Sequence, residues 1–183
     1  MFPRQGVEGQ RPTVSVPTAI ARPCDGAGSL YRRPMIRLEE ARDFPVAAVE
    51  AFDYITDPAR WPEYWPDLIA VDTPEASWKS PGDRMQLRLM FVGRPVTLRM
   101  VMEKMVRPEV VIYDSEQAGL PGMRHERYFE ARGDGLHYRL AVSYQPRGGL
   151  VGLLDRTIVR AGVRRLLRRT LDNLTTALAA HPA

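Results

Sequence analysis

Residues 150–178 read LVGLLDRTIVRAGVRRLLRRTLDNLTTAL, contain no proline, and repeat their apolar residues at the spacing of an α-helix. One apolar stripe is formed by Val159, Val163, Leu167, Leu171, Leu174 and Leu178, and we expect Leu154, Ile158 and Leu166 to widen it. At a rise of about 1.5 Å per residue, this stretch predicts a helix roughly 43 Å long. A helix of this length needs a large apolar surface on which to pack.

That surface is predicted by the residues that precede the helix. In residues 84–91, 96–103 and 136–144 apolar side chains occupy every second position, which is typical of half-buried antiparallel strands. Further strands are predicted at Ile36–Phe44, Val110–Ser115 and Arg124–Ala131, so we expect a sheet of about six or seven strands. The tripeptide Gly133-Asp134-Gly135 indicates a hairpin between the last two strands.

Two short helices are predicted directly after the first strand. Apolar residues in segment 46–55 recur every three positions, and Asp57-Pro58 stops this helix. The aromatic, proline-interrupted segment 61–66, WPEYWP, follows. Antiparallel strands with helices on one face make an α+β domain. Because a twisted sheet curls around a straight helix, we expect an apolar gap between them that suits a ligand.

The first 34 residues differ from the rest of the chain. Nine of these 34 positions are proline or glycine, and no helical or strand periodicity is sustained. We therefore expect residues 1–34 to form a disordered extension, followed by one domain over residues 35–183. Met35 opens the first strand-like segment and is a candidate translation start. The extension has no apolar run typical of a signal peptide, so we expect a cytoplasmic protein.

The segments 44–58, FPVAAVEAFDYITDP, and 60–66, RWPEYWP, resemble the opening strand and helices of the START-like (SRPBCC) superfamily. The hairpin 133–135 and the closing segment 165–174 are similar to its penultimate element and its long C-terminal helix. This superfamily includes polyketide cyclase/dehydrase-like, coenzyme-Q-binding and lipid-transfer proteins. The resemblance implies a helix-grip fold with a hydrophobic cavity between the sheet and the last helix. The matching motifs identify the fold more specifically than the function.

The residues expected to line this cavity come from the aromatic segment, the strands and the last helix. They are Trp61, Tyr64, Trp65, Leu87, Leu89, Leu98, Met100, Tyr113, His125, Arg127, Tyr138, Leu140, Ile158 and Val163. Each can instead belong to the ordinary core. With a hairpin loop of two or four residues, His125 and Arg127 point inward, and a buried arginine then requires an anionic or carbonyl-bearing partner. With three residues, Glu126 and Tyr128 point inward instead.

The sequence favours a binding protein over an enzyme. The single cysteine, Cys24, excludes an internal disulfide and a four-cysteine zinc site, and the three histidines do not form a metal-binding pair. A nucleophile elbow of the G-x-S-x-G type is absent from the sequence. We expect neither a metal nor a cofactor, and we expect a polyketide, quinone or fatty-acid-like ligand. The alternative is a cyclase or dehydratase that uses His125, Arg127 or Tyr138.

The formal net charge of +4 is unevenly placed. Residues 149–183 contain six arginines and two aspartates. Arg156, Arg160, Arg164 and Arg168 are four positions apart and share one helix face, which is either solvated or binds an anionic membrane surface. A nucleic acid partner is less favoured at this mild charge. The sequence does not indicate an oligomeric state.

Overall fold

The computed structural model describes residues 35–72 and 77–180. Seven antiparallel strands form one curved sheet in the order β1-β7-β6-β5-β4-β3-β2. The strands are β1 (Ile36–Phe44), β2 (Leu68–Val71), β3 (Arg84–Phe91), β4 (Arg94–Val106), β5 (Val110–Glu116), β6 (Met123–Arg132) and β7 (Gly135–Tyr144). The predicted α+β helix-grip fold is confirmed. The predicted disordered extension, residues 1–34, lies outside the described residues and stays a prediction.

The helices lie in two groups along the chain. After β1 come α1 (Ala48–Thr56), a 3₁₀ turn (Pro58–Arg60) and α2 (Trp61–Tyr64). After β7 come α3 (Gly149–Leu154), a π-helical turn (Asp155–Val159) and α4 (Arg160–Ala180). The predicted long helix is therefore present, but a π turn divides it. Strand β2 was not predicted, because four residues are too few to display a period.

The apolar stripe of α4 packs on the concave side of the sheet. Val159, Val163, Leu167, Leu171, Leu174 and Leu178 are all buried, as predicted. Leu154 and Ile158 are about half exposed, so the expectation that they widen the buried stripe is wrong. One step along a helix turns the side chain by about 100°, which carries Ile158 away from its buried neighbour Val159. Leu154 lies four residues before Ile158 and faces outward with it.

The sheet register decides which residues of β6 face the helix. Strands β6 and β7 are joined by the two-residue loop Gly133-Asp134, so that Arg132 pairs with Gly135. His125 then pairs with Val142, and Arg127 pairs with Leu140. These four side chains are all buried. Of the two possibilities that the sequence left open, the structure has the inward orientation of His125 and Arg127.

Candidate functional site

An apolar cavity lies between the sheet and α4. Eight of the predicted residues line it: Trp65, Leu89, Leu98, Tyr113, His125, Arg127, Leu140 and Val163. Its volume is about 50 Å³, far below the roughly 300–1,000 Å³ of a typical small-molecule pocket. The two polar groups on β6 are thus enclosed by aliphatic and aromatic side chains. A ligand larger than a few atoms has to displace some of these side chains.

Arg127 is the buried cation of this cavity. Its Nη2 donates a hydrogen bond to the Tyr113 hydroxyl at 3.0 Å, and its Nη1 donates one to the Tyr64 hydroxyl at 3.3 Å. The guanidinium also lies 5.3 Å from the centre of the Trp65 ring, within the range of a cation–π interaction. Among the described residues, no carboxylate forms an ion pair with Arg127, and its buried Nε has no hydrogen-bond partner. Within the part of the chain that the structure describes, the groups around its charge are neutral hydroxyls and ring faces.

Tyr64 helps to fix this cation in place. Its hydroxyl donates to the Ile55 carbonyl at the end of α1, with an oxygen–oxygen distance of 2.7 Å, and accepts from Arg127. Burial raises the pKa of Tyr64 to about 12, despite the nearby arginine charge. The hydroxyl is therefore neutral at physiological pH. It cannot neutralise the guanidinium by ionising.

His125 lies next to Arg127 on the same face of β6 and is held in an uncharged state. Its ring stacks on Tyr113 with a centroid distance of 4.6 Å, and its Nε2 is 2.9 Å from the Ser115 hydroxyl. Burial, with the nearby Arg127 charge, lowers the pKa of His125 from its ordinary 6.5 to about 3. The imidazole is neutral at pH 7 and offers hydrogen bonds to a ligand without adding a second positive charge.

The other six predicted residues lie outside the cavity lining. Trp61, Leu87 and Met100 are fully buried in the adjoining core. Tyr64 reaches Arg127 only through its hydroxyl, and Tyr138 is buried with a hydroxyl that has no partner among the described residues. Ile158 lies on the outer surface, where it lines two grooves. Ligand contact by any of the fourteen residues stays a prediction.

Half-buried residues, most of which the sequence did not single out, form the cavity entrance. Phe91, Val96 and Leu120 line both the cavity and an outer groove, and Leu166 lines the cavity and a second groove. Their side chains therefore separate the interior from the surface. Phe91 and Val96 belong to alternating strand patterns that could have suggested them. Leu120 lies in an irregular loop that has no periodic signal.

Two further features of the described residues concern metal-binding clusters and membrane-spanning helices. Within residues 35–72 and 77–180, no three His, Cys, Asp or Glu side chains are placed so as to hold a metal ion. The expectation that the protein uses no metal or cofactor stays a prediction. In the same residues, no helix is both long enough and apolar enough to cross a membrane.

Comparisons with known proteins agree with this geometry. Residues 35–179 match the model of a family described as polyketide cyclase / dehydrase and lipid transport. No curated protein matches the sequence.

Solved structures similar to this chain include two aromatase/cyclases and a protein of Thermus thermophilus. The ZhuI aromatase/cyclase of a Streptomyces species superposes with a TM-score of 0.68 at 14% identity, covering 79% of this chain and 93% of its own. A Thermus thermophilus protein, TTHA0849, superposes with a TM-score of 0.64 at 18% identity, covering 81% of this chain and 100% of its own. The di-domain aromatase/cyclase BexL gives 0.67 at 17% identity, covering 81% of this chain and 51% of its own. At these identities the likeness shows a shared fold.

Proposed function

The chain belongs to the polyketide cyclase / dehydrase and lipid transport family, and on that basis we propose that it binds a hydrophobic small molecule in the cavity between the sheet and α4. This membership agrees with the START-like resemblance of the sequence. The ligand classes that we propose are polyketide, quinone and fatty acid. The apolar lining supports this function, because burial of ligand surface is favourable by about 25 cal/mol per Å².

The observation that carries the proposal is Arg127, a buried cation without a carboxylate partner among the described residues. Burial of an unpaired charge is costly, and a ligand oxygen that accepts from the guanidinium would remove much of that cost. We therefore infer that the ligand carries a carboxylate, an enolate or a polarised carbonyl. This group would lie beside Arg127, while the apolar body extends toward the entrance at Phe91 and Leu120.

The test compares two ligands with the same apolar body, one with a charged headgroup and one with an uncharged headgroup. The purified protein is titrated with a fluorescent fatty acid and with its methyl ester, before and after the substitution Arg127→Met. Charge-assisted hydrogen bonds contribute about 1.5–3 kcal/mol, so we expect the substitution to weaken binding of the acid by roughly 10- to 100-fold. Binding of the ester should change much less.

Arg139→Met is the matched control, because Arg139 lies on the opposite face of the sheet and is partly exposed. It should leave both affinities unchanged. Fluorescent quinone and aromatic polyketide probes extend the same test to the other two classes. An absence of saturable binding by every class, or an affinity for the acid that Arg127→Met leaves unchanged, would contradict the proposal.

A cyclase or dehydratase activity is the second candidate. It is favoured by His125, whose imidazole bonds to Ser115 beside a fixed cation inside an apolar cavity. However, a group with a pKa of about 3 is a weak base at neutral pH, and this favours binding over proton abstraction. If the protein is an enzyme, alanine at His125 or Tyr138 should abolish turnover of a poly-β-ketone substrate while affinity is retained, whereas alanine at Arg127 should reduce both.

A further inference from the structure

The surface around α3 combines exposed aliphatic side chains with unpaired arginines. The aliphatic members are Leu150, Leu153, Leu154 and Ile158, together with Val92 from the β3–β4 turn. The basic members are Arg156, Arg160, Arg164 and Arg165. We call these nine residues the entrance patch. Leu150 is 85% exposed and Leu153 59%, values that a solvated helix face does not explain.

Four members of the entrance patch, Val92, Leu154, Ile158 and Arg165, border the cavity entrance. One outer groove brings Val92, Leu154 and Ile158 together with Phe91 and Leu120, which also line the cavity. A second groove joins Val92 and Ile158 to Arg165 and Leu166, and Leu166 again lines the cavity. The same few side chains therefore separate the entrance patch from the interior.

The arginines of the entrance patch differ in their ion pairing from the arginines that follow them on α4. Farther along α4, Arg168 pairs with Glu40 and Arg169 pairs with Asp67. Arg156, Arg160, Arg164 and Arg165 form no ion pair with any carboxylate of the described residues. The nearby Asp155 is buried and is already paired with Arg147. The entrance patch thus carries a net positive charge and complements an anionic surface.

We propose that the entrance patch docks on an anionic phospholipid bilayer. Helices that lie in a membrane interface combine aliphatic side chains that enter the acyl boundary with basic side chains that contact the headgroups. The aliphatic and basic members of the entrance patch are suited to these two roles. Docking would place the cavity entrance at the lipid surface, from which an apolar ligand would pass without crossing water.

The composition of the entrance patch favours a bilayer over two other occupants. In a twofold dimer the same surface faces itself, so the four unpaired arginines would repel their own copies. A nucleic acid would satisfy the arginines through its phosphates. It would leave Leu150, Leu153 and Ile158 exposed to water, however.

The test is flotation of the full-length protein with vesicles in the absence of any cavity ligand. We expect binding to phosphatidylcholine vesicles that contain phosphatidylglycerol, no binding to pure phosphatidylcholine, and weaker binding at higher salt. Because each arginine near such a surface contributes about a fivefold change in affinity, Arg160→Glu with Arg164→Glu should weaken binding at least about 25-fold. Leu153→Glu with Ile158→Glu should also abolish binding, although the arginines remain.

The control is Arg84→Glu with Arg99→Glu, which makes the same change of net charge on the outer face of the sheet, where both arginines are exposed. It should retain binding within about twofold, because charges beyond a Debye length are screened. All these residues are exposed, so circular dichroism should show each variant folded. Residues 1–34 are identical in every variant, so their five arginines do not affect the comparison.

Three results would overturn the proposal. The first is an absence of binding to anionic vesicles. The second is equal weakening by the control and by the Arg160 and Arg164 variant, or vesicle binding that survives glutamate at Leu153 and Ile158, which would show that these side chains do not enter the bilayer. The third is a dimer in sedimentation that these glutamates dissociate. Ligand titration is a separate measurement, so failure here leaves the cavity proposal intact.

Discussion

At the scale of single residues, the cavity is defined by two neighbours on β6 with opposite electrostatic behaviour. Arg127 keeps its charge in a buried position, whereas His125 is held neutral by burial and by that charge. The two residues are fixed through Tyr113, which accepts a hydrogen bond from Arg127 and stacks on His125. A ligand oxygen would therefore meet a cation and a neutral imidazole held side by side.

The depressed pKa of His125 predicts how stability depends on pH. Between pH 6.5 and about 3 the unfolded chain binds a proton at this position and the folded chain does not. The contribution of His125 to the free energy of unfolding is therefore lost as the pH falls, with a slope approaching about 1.4 kcal/mol per pH unit. Denaturant unfolding of wild type and His125→Asn across this range should show the steeper decline in wild type. Parallel curves would contradict the neutral, buried histidine.

His125 and Arg127 could be singled out from sequence, but their surroundings could not. Because the two residues are two positions apart, both lie on the same face of the strand. The length of the hairpin loop decides whether that face points toward the last helix or away from it. Their partners Tyr64, Tyr113 and Ser115 come from other elements, and a local sequence pattern does not predict contacts between distant elements. The lack of a carboxylate beside Arg127 is likewise a property of the assembled sheet.

At the scale of elements, the turn between β3 and β4 is locally unfavourable. Val92 has a φ of +49°, a left-handed conformation that is rare for a β-branched residue, and Gly93 follows at +74°. This turn lies close to α4, because a Cβ at Gly162 would be 2.9 Å from side-chain atoms of Phe91 and Val92. Backbone strain is thus retained at an exposed position of the entrance patch.

Val92→Asn should separate stability from docking. Asparagine accepts the left-handed conformation readily, so we expect the free energy of unfolding to rise by about 1 kcal/mol. The same change removes an exposed aliphatic side chain from the entrance patch, so vesicle binding should weaken. Thermal unfolding and flotation measure the two effects. The control is Met90→Asn on the adjoining part of β3. It introduces the same polar side chain at a position that does not have a left-handed backbone conformation.

The junction between β7 and the last helices depends on Asp155 and Arg147. The Asp155 side chain is fully buried and receives three hydrogen bonds from Arg147, one of them from the backbone nitrogen. The guanidinium of Arg147 holds the pKa of Asp155 below its ordinary value. The stability from this pair is present above pH 3.8 and is lost as the pH falls through the lowered pKa.

Removal of this guanidinium should be costly. Arg147→Ala leaves Asp155 buried without its cation, and because Arg147 is itself one-third exposed we expect a loss of about 1–3 kcal/mol. Arg60→Ala breaks an exposed pair with Glu63, which solvent screens, and should change stability much less. Urea unfolding of the two variants measures the difference. A loss at Arg147 no larger than that at Arg60 would show that the junction does not depend on this pair.

Element prediction failed where distant contacts fix the backbone. The sequence predicted one helix from Leu150, because its apolar spacing and lack of proline suit a continuous helix. The break at Asp155–Val159 coincides with the residue that Arg147 binds, and with the Asp155 carbonyl that accepts from the Tyr144 hydroxyl at 2.7 Å. These contacts cross from the sheet to the helix, so a helical period cannot encode them.

At the scale of the whole molecule, the narrow cavity has to widen before a ligand of ordinary size can enter. Its volume of about 50 Å³ accommodates only small groups, and half-buried side chains such as Leu120 line its entrance. Leu120→Ala should therefore raise the association and dissociation rates of a fluorescent ligand together, with little change in affinity. Stopped-flow fluorescence measures both rates. Met105→Ala, half-buried but away from the cavity lining, should leave them unchanged.

The overall architecture was the most predictable level, because it follows from many weak signals that agree. Alternation in the strands, the amphipathic last helix and the aromatic segment after β1 all pointed to a sheet that curves around a helix. The volume left between the two layers was not predictable, because it depends on how individual side chains pack. The same pattern is compatible with a wide pocket or with an almost filled one.

The position of β1 has a consequence for how the protein is made. Its only neighbour in the sheet is β7, and paired residues such as Ile36 and Tyr144 are roughly a hundred positions apart in the chain. During synthesis on the ribosome, the side chains of Leu38 and Phe44 therefore stay exposed until nearly the whole domain has emerged. Nascent chains that end before residue 135 should expose β1 to proteases and chaperones, and those that extend through Tyr144 should protect it.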